Sequence, residues 1–343
     1  MLQVVNASPF ATGKAVLLSP AGEHIWTVCV KGTYHFDFDG SLSLHSTQEP
    51  VCQQPVYARE PGNSTMLRDC ELVVEHPGSA ITLNARAHSP SGRAEAFVDV
   101  QVAVGPVRLA LRVYGDRSYH GRTLRGVRVS DPVPFTSMPI VYERAFGGVD
   151  PETGLPLPQN PVGTGYATSD KAASGLRLPN VTALYEKEQG FADLRLPAGL
   201  CAIAPSWSPR KELAGTADEK WIETRAPLWP GDWNALHCNA APGQLQTKQK
   251  LHGGETVSLI NLASQNELNF QLPRVFFDMR TKFPNGYVRN EVGLDRVIIE
   301  PEKQRLVMVW RSALNCGRDA RRVVVTYVDT KLNTQSGQRD GTA

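Results

Sequence analysis

The sequence predicts an all-β fold with little helix, and three observations carry this prediction. In several stretches apolar and polar side chains alternate with a period of two, which is typical of strands that bury one face. The 343 residues include 29 glycines and 25 prolines, which together exceed average usage and favour many turns. Helical periodicity is scarce, and Thr65–Val74 and Thr182–Gln189 are the modest helix candidates. We therefore expect two antiparallel, sandwich-like sheet regions packed face to face, with a long ordered loop elaboration.

The first strong alternation covers Trp26–Phe38, where tryptophan, valine, tyrosine and phenylalanine side chains fall on one face. Asp39-Gly40 supplies the positive φ angles that a two-residue hairpin turn needs, and the alternation resumes over Ser41–Leu44. These stretches predict a first hairpin. A second hairpin and six further strands are predicted at Val98–Val104 with Val107–Val113, joined by Gly105-Pro106, and at Ile81–Ala87, Thr256–Leu262, Leu268–Leu272, Arg296–Glu300, Leu306–Trp310 and Arg322–Val328.

A different region, 131–242, lies between the two strand-rich parts and is rich in Pro, Gly, Asn and Trp. It lacks regular periodicity, yet its four tryptophans bring more apolar surface than a solvated linker carries. We therefore expect ordered loops that pack on the sheets. Although the length alone suggests about two domains, we divide the chain into an N-terminal β domain (1–130), this loop-rich elaboration (131–242), a C-terminal β region (243–332) and a frayed polar tail (333–343).

Composition and charge exclude several classes of protein. A hydrophobic fraction of 41% with 20% charged residues is typical of a globular chain and not of a disordered one. The net charge of +2 is too small for general electrostatic binding to nucleic acid or to an anionic membrane. It does not exclude a local basic patch. The first residues lack the features of a secretory signal, so we expect a cytoplasmic protein. The six cysteines are scattered, with no C-x-x-C pair, and we expect reduced, packed thiols.

Two glycine-rich stretches resemble functional motifs. Asn160–Tyr166 (NPVGTGY) lacks the helix context, the third glycine and the G-K-[ST] ending of nucleotide-binding loops, so we predict a tight turn there. His252-Gly253-Gly254 resembles the oxyanion loop of esterases. No G-x-S-x-G nucleophile elbow occurs in the sequence, so we predict a turn before the next strand.

Two further groups of residues have the chemistry of metal or carbohydrate sites. His35, Asp37 and Asp39 share a strand face, but no second cluster completes a ligand set, and we predict no metal and no cofactor. A carbohydrate-binding or carbohydrate-active β-sandwich protein stays open as the alternative function, because glycosidases use paired carboxylates. The spacing selects no pair among the acidic residues near the loop tryptophans, which are Glu212, Asp218, Glu219, Glu223 and Asp232.

The arginines and tryptophans of the 131–242 region have two physical uses. Guanidinium groups tie a long loop together through carboxylates and carbonyls, or they anchor a partner at an interface. Tryptophans either fill the core of a loop or offer a contact surface. We favour loop-tying and core-filling, and interleaved acidic residues argue against nucleic acid. The candidate partner-binding residues are Arg144, Trp207, Arg210, Trp221, Arg225, Trp229 and Trp233, and we predict no catalytic residue.

An ordered series of motifs covers most of the chain: VYGDR (Val113–Arg117), PF-x-x-MPI-x-YERAFGG (Pro134–Gly148), NPVGTGY (Asn160–Tyr166), AP-x-W-x-x-R (Ala204–Arg210), AGT-x-x-x-x-W (Ala214–Trp221), R-x-P (Arg225–Pro227), NAAP (Asn239–Pro242), L-x-GGE (Leu251–Glu255) and VWRSAL (Val309–Leu314). With these motifs the sequence resembles a bacterial family whose members are encoded in type VI secretion clusters beside spike and effector genes.

The resemblance implies a non-enzymatic adaptor or chaperone. Such a protein binds a type VI secretion effector, or its PAAR-like spike domain, in the cytoplasm and promotes loading onto the VgrG spike, with no nucleic acid and no stable membrane association. A spike component that travels with the cargo is a further hypothesis. The chain departs from the family pattern at Ala217-Asp218, at Gly243 and near Tyr119, where an aromatic-Asp pair, an acidic residue and a tryptophan are usual.

Overall fold

The computed structural model describes residues 2–123, 126–184 and 196–331. Within these residues the chain is mostly strand, with two short helices, so the all-β prediction is confirmed. No helix in the described part of the chain is long and apolar enough to cross a lipid bilayer. The predicted tail, 333–343, lies outside the described residues.

The first twelve strands form before the loop-rich region. They are β1 (Gln3–Asn6), β2 (Ala11–Leu18), β3 (His24–Phe36), β4 (Leu42–Leu44), β5 (Val56–Tyr57), β6 (Met66–Arg68), β7 (Ala80–Leu83), β8 (Arg86–His88), β9 (Phe97–Val104), β10 (Val107–Tyr114), β11 (Tyr119–Thr123) and β12 (Gly126–Val129).

Short elements dominate the middle of the chain, and longer strands return after it. The middle contains β13 (Ser137–Pro139), β14 (Phe146–Gly147), β15 (Thr164–Gly165), α1 (Asp170–Ala173), β16 (Val181–Ala183) and α2 (Glu219–Thr224), with 3₁₀ turns at Tyr142–Arg144, Glu212–Ala214, Ala235–Cys238 and Gly243–Leu245. The last part contains β17 (Thr256–Ile260), β18 (Glu267–Gln271), β19 (Phe276–Phe283), β20 (Gly286–Arg289), β21 (Gly293–Glu300), β22 (Arg305–Asn315) and β23 (Val325–Lys331), with 3₁₀ turns at Pro301–Lys303 and Ala320–Arg322.

Three large sheets combine strands from both ends of the described chain. One has the order β2-β3-β22-β21-β7, with β4 also on β3; the second is β16-β10-β9-β17-β18; the third is β1-β23-β19-β20. In the first, β3 pairs antiparallel with β22 over the whole stretch from Ile25↔Asn315 to His35↔Arg305. Each sheet therefore contains strands of both the 1–130 and the 243–332 regions.

The core lies between the inner faces of these sheets, and aromatic side chains fill it. Phe36 of β3 stacks on Phe270 of β18 with ring centroids 5.2 Å apart. Phe277 of β19 meets Trp310 of β22 edge-on at 5.2 Å. The indole Nε1–H of Trp26 donates to Thr326 Oγ1 at 2.8 Å, so this buried polar group is satisfied where two sheets meet.

The segment between β4 and β7 covers the outer face of β3. Lys31, on the polar face of this strand, is 2% exposed and pairs with the fully buried Glu71 at 2.9 Å. Burying both charges costs desolvation energy, which their close contact offsets. Both faces of β3 are therefore buried, although its sequence alternates like that of a strand with one wet face.

The helix predicted at Thr65–Val74 is wrong. This stretch forms β6 and then an irregular run in which Asp69 pairs with the buried Arg210 of the loop-rich region and Glu71 pairs with the buried Lys31 of β3. These tertiary contacts outweigh the weak local helix preference. Of the other predicted helix, residues 182 and 183 lie in β16, while 185–189 lie outside the described residues.

The predicted hairpins form, with one adjusted loop. Val104 and Val107 face each other across Gly105-Pro106, as the two-residue turn requires. In the first hairpin β3 ends at Phe36, and the connection to β4 is longer than the predicted two residues. Gly40 adopts φ 86°, and a Cβ there would lie 2.1 Å from the carbonyl oxygen of Asn269, so only glycine fits.

Candidate functional site

Residues from three of the sequence motifs meet at one surface cleft of about 450 Å³. VYGDR, YERAFGG and NPVGTGY each contribute to its lining, and residues before β6 and after α1 complete it. Its charged side chains are Arg59, Asp116, Arg117, Glu143, Arg144 and Arg177. We call this site the arginine cleft.

Asp116 is the centre of a hydrogen-bond network in the lining of the cleft. Its Oδ1 accepts from Arg144 Nη1 and from Asn180 Nδ2, both at 3.0 Å, and its Oδ2 accepts from Arg177 Nη2 at 2.9 Å. Burial alone would raise the pKa of Asp116, but the bonds from Asn180 and Arg144 outweigh it and lower the pKa. Asp116 therefore stays ionised and holds two arginines in place.

The position of Asp116 follows from the end of strand β10. Tyr114 donates its backbone N–H to the carbonyl oxygen of Asn180 at 2.8 Å, which fixes the chain just before the aspartate. At Gly115 an added Cβ would lie 1.9 Å from the carbonyl oxygen of Val133. The motif glycine is therefore required by a close backbone approach.

Glu143 is the second carboxylate in the lining of the cleft. Its carboxylate accepts from the backbone N–H of Thr65 at 3.1 Å and from the hydroxyl of the same residue, and Arg59 Nη2 lies 3.5 Å away. Burial would raise the pKa of Glu143, but the hydroxyl of Thr65 and the other donors lower it. The loop that carries Arg59 is thus joined to the YERAFGG segment.

Asn160 joins the NPVGTGY segment to YERAFGG beneath the cleft. Its buried Nδ2 donates to the carbonyl oxygens of Tyr142 at 2.8 Å and Phe146 at 3.0 Å. At Gly163 a Cβ would lie 2.4 Å from that same Nδ2, and Gly147 adopts φ 152°. The glycines are required by backbone geometry, and the segment forms a turn and the short strand β15, in agreement with the turn prediction.

Arg144, Trp207 and Arg210 belong to the framework of the site. Trp207 is 2% exposed and meets Tyr142 edge-on at 5.3 Å. Arg210, which is 5% exposed, donates to the carbonyl oxygens of His237 and Ile203, both at 2.6 Å, and to Asp69 at 2.7 Å. Trp207 therefore fills the core of the loop region, and Arg210 ties the loop together. Because both side chains are buried, they can affect a surface contact only indirectly, by positioning other residues.

The other predicted partner-binding residues lie in a second group. Trp229 and Trp233 are half-buried and meet edge-on at 4.3 Å, and the indole N–H of Trp221 donates to the carbonyl oxygen of Leu228 at 2.8 Å. Arg225 donates to the carbonyl oxygens of Trp229 and, at 3.1 Å, of Pro20 in the β2–β3 turn. We call this group, 221–233, the tryptophan loop; its side chains are partly exposed at the surface.

Three of the five acidic residues near these tryptophans make local contacts. Asp218 caps α2 by accepting from the backbone N–H of Trp221 at 2.9 Å. Glu212 accepts from the hydroxyl of Ser208, and Asp232 accepts from Thr216. Each contact occupies a carboxylate within its own loop.

The remaining motifs have structural explanations as well. His252-Gly253-Gly254 turns just before β17, with φ near 86° at Gly253 and 85° at Gly254, which confirms the predicted turn. The six cysteines are free thiols. Burial raises the pKa of Cys29 to about 11 and that of Cys201 to about 12, which keeps both thiols protonated and weakly reactive.

Sequence reasoning found Arg144 but missed the other charged residues of the cleft. Asp116, Arg117 and Glu143 lie inside quoted motifs, so the joint occurrence of VYGDR and YERAFGG was the signal that could have located them. Arg59 and Arg177 carry no local signal, because they reach the cleft only through folding.

The cleft is basic, since four arginines face two carboxylates. Arg59 and Arg177 have side chains 74% and 71% exposed. The guanidinium of Arg117 lies 3.6 Å from the ring centroid of Tyr114, which holds it by a cation–π contact. Such an arrangement attracts anions and presents planar donors to them.

Comparison with curated proteins and with solved structures gave no match. Residues 21–311 match a family described as "Uncharacterized protein conserved in bacteria (DUF2169)". This match includes the arginine cleft, the tryptophan loop and most strands of the three large sheets. Because the match covers well over half of its length, the chain belongs to the DUF2169 family.

Proposed function

We propose that this protein is a non-enzymatic adaptor that binds a type VI secretion effector, or its PAAR-like spike domain, and promotes loading onto the VgrG spike. The type VI context comes from the order of motifs in the sequence. The observation that supports a binding role is the meeting of three of those motifs at one basic surface cleft. Anchored arginines on a rigid scaffold are typical of surfaces that recognise a partner.

An exposed strand edge adds to this support. Within the described residues β20 pairs with β19 and with no other strand, and all four of its residues are exposed. Tyr287 and Val288 on this strand are 59% and 41% exposed. An open edge of this kind offers backbone hydrogen bonds to an added strand of a partner.

The function is tested by co-expressing the protein with the effector encoded beside its gene, and with the PAAR-like domain alone. We expect co-purification, a larger soluble fraction of the effector, and loss of effector secretion in a deletion strain. Failure to co-purify, together with unchanged effector solubility and secretion, would falsify the adaptor function.

Two other results would redirect the assignment. Binding to a glycan panel that is lost in Trp221→Ala or Glu223→Gln would favour the carbohydrate alternative. Stoichiometric amounts of the protein in the secreted fraction would favour a spike component that travels with its cargo. The adaptor function predicts neither result, because it places the protein on the cargo only before secretion.

A further inference from the structure

The charge of the arginine cleft is concentrated relative to the rest of the chain. Among the lining residues that the structure describes, four guanidinium groups accompany two carboxylates, a local surplus of positive charge in a protein whose whole sequence carries only +2. The two carboxylates are held by the hydrogen bonds of Asn180 and Thr65, so their positions in the lining are fixed. The surplus lies at the rim, where solvent has access.

Arg59 and Arg177 supply donors at that rim. A guanidinium carries five N–H donors. Within the described part of the chain, Arg59 pairs through Nη2 with Glu143 at 3.5 Å, and Arg177 pairs through Nη2 with Asp116 at 2.9 Å. Both side chains are more than 70% exposed, so most of their donors face solvent.

The other lining residues decide which anion suits the cleft. Pro139, Val141 and Leu178 add apolar wall between the arginines, which suits the mixed side chains of a polypeptide. Carboxylates pair with guanidinium forks through two parallel hydrogen bonds.

We infer that the arginine cleft receives an acidic segment of the partner polypeptide, with its side-chain carboxylates paired to Arg59 and Arg177. This inference rests on the proposed function, because it names the part of the cargo that the adaptor recognises. The charge pairing steers the partner to the cleft and sets its orientation, and the apolar wall contacts the intervening residues.

The inference is tested with a fluorescein-labelled, amidated ten-residue peptide of alternating Glu and Ala, followed by fluorescence anisotropy at low salt. We expect saturable binding that weakens as salt increases, and at least a tenfold loss of affinity in the double variant Arg59→Glu, Arg177→Glu. Arg321→Glu removes an exposed arginine paired with Asp319 outside the cleft, and we expect less than a twofold change.

Several results would overturn the inference. These are no measurable binding of the acidic peptide to the wild-type protein, equal binding of a Gln-Ala peptide, equal binding by the double variant, and stronger binding of a ten-nucleotide thymidine strand. Since a charge reversal can disturb folding, the milder pair Arg59→Gln, Arg177→Gln is measured alongside it. Each variant is compared with the wild type by its thermal midpoint.

Co-purification of the effector separates this inference from the proposed function. If the wild-type protein and the double variant capture the effector equally, the adaptor function stands and the cleft assignment is wrong. If the wild-type protein captures no effector, the adaptor function fails, while the peptide titration still decides whether the cleft binds carboxylates.

Discussion

Buried arginines connect distant loops of this protein through backbone carbonyls. Arg210 is the clearest case, since it binds two carbonyl oxygens and the carboxylate of Asp69 while almost fully buried. Arg311 acts similarly on the carbonyl oxygens of Glu71 and Val74, and it pairs with Asp295 at 2.7 Å. Each guanidinium satisfies several buried acceptors at once, which a lysine cannot do with the same geometry.

At the residue scale we predict that Arg210→Met lowers the free energy of unfolding by about 3 to 5 kcal/mol. Methionine keeps most of the volume but leaves Asp69 with Arg296 at 3.6 Å as its remaining cation, and it leaves two partly buried carbonyl oxygens without this donor. Urea unfolding followed by tryptophan fluorescence measures the effect.

The matched control is Arg321→Met, which removes an arginine that is 86% exposed and pairs with Asp319. We expect a much smaller change than for Arg210→Met, since exposed ion pairs contribute little to stability. Equal effects of the two substitutions would show that Arg210 does not tie the loop in the way its contacts indicate.

At the scale of elements, ion pairs hold the segment between β4 and β7 against the six-stranded sheet. Glu300, at the end of β21, accepts from Arg68 of β6 at 2.7 Å and from Arg305 of β22 at 2.6 Å. Burial would raise its pKa, but the charges and hydrogen bonds of Arg68 and Arg305 lower it from 4.5 to about 2. Arg311, together with His76 and Lys250, holds the pKa of the buried Asp295 well below its usual range.

This network predicts that the fold loses stability in acid. A carboxylate whose pKa is lower in the folded protein contributes stability that is complete above its unfolded pKa and is lost as the pH falls toward the folded value. For Glu300 this window extends from about pH 4.5 down to about pH 2, and the loss amounts to about 3 kcal/mol. We expect the thermal midpoint of unfolding, measured from pH 7 to pH 2, to fall across this window.

Glu300→Gln is expected to lower the midpoint at neutral pH and to flatten its decline between pH 4.5 and pH 2. Glu302→Gln removes the same charge from a partly exposed pair with His88, and at neutral pH it should cost less than about 1 kcal/mol. An unchanged acid decline in Glu300→Gln would contradict the assigned role of this carboxylate.

At the scale of the whole molecule, the sheets unite the two ends of the described chain. β3 pairs with β22, β9 pairs with β17, and β1 lies parallel to β23. Closing such long loops is entropically costly, and it is offset only when both partners of each pair are present. The regions 1–130 and 243–332 are therefore interdependent in their strand pairing.

We predict that a fragment of residues 1–130 does not fold cooperatively. It lacks β22 and β17, so the apolar faces of β3 and β9 lose their neighbours. Circular dichroism during heating measures this as a missing sigmoidal transition. A chain that ends at residue 332 keeps every described strand and should retain the transition; a cooperative transition in the 1–130 fragment would refute the prediction.

The sequence by itself determined the strands with clear alternation, because side chains of a strand point to opposite faces in turn whatever its partner is. β9, β10, β17 and β18 were predicted within a residue or two. The sequence also singled out Arg144, and it singled out Trp207 and Arg210, which fill and connect the loop-rich region, because each lies in a contiguous motif. The strand β19, in which charged and apolar residues mix, was missed.

Only the tertiary structure decided which strands pair, which face of β3 is covered, and which residues form the arginine cleft. Arg59, Asp116, Glu143 and Arg177 are far apart along the chain, and their electrostatic interaction depends on distances that folding sets. The periodicity of a sequence reports only on residues that are close together along the chain, so it could not reveal these contacts. The surplus charge of the cleft is a property of side chains gathered from four separate segments.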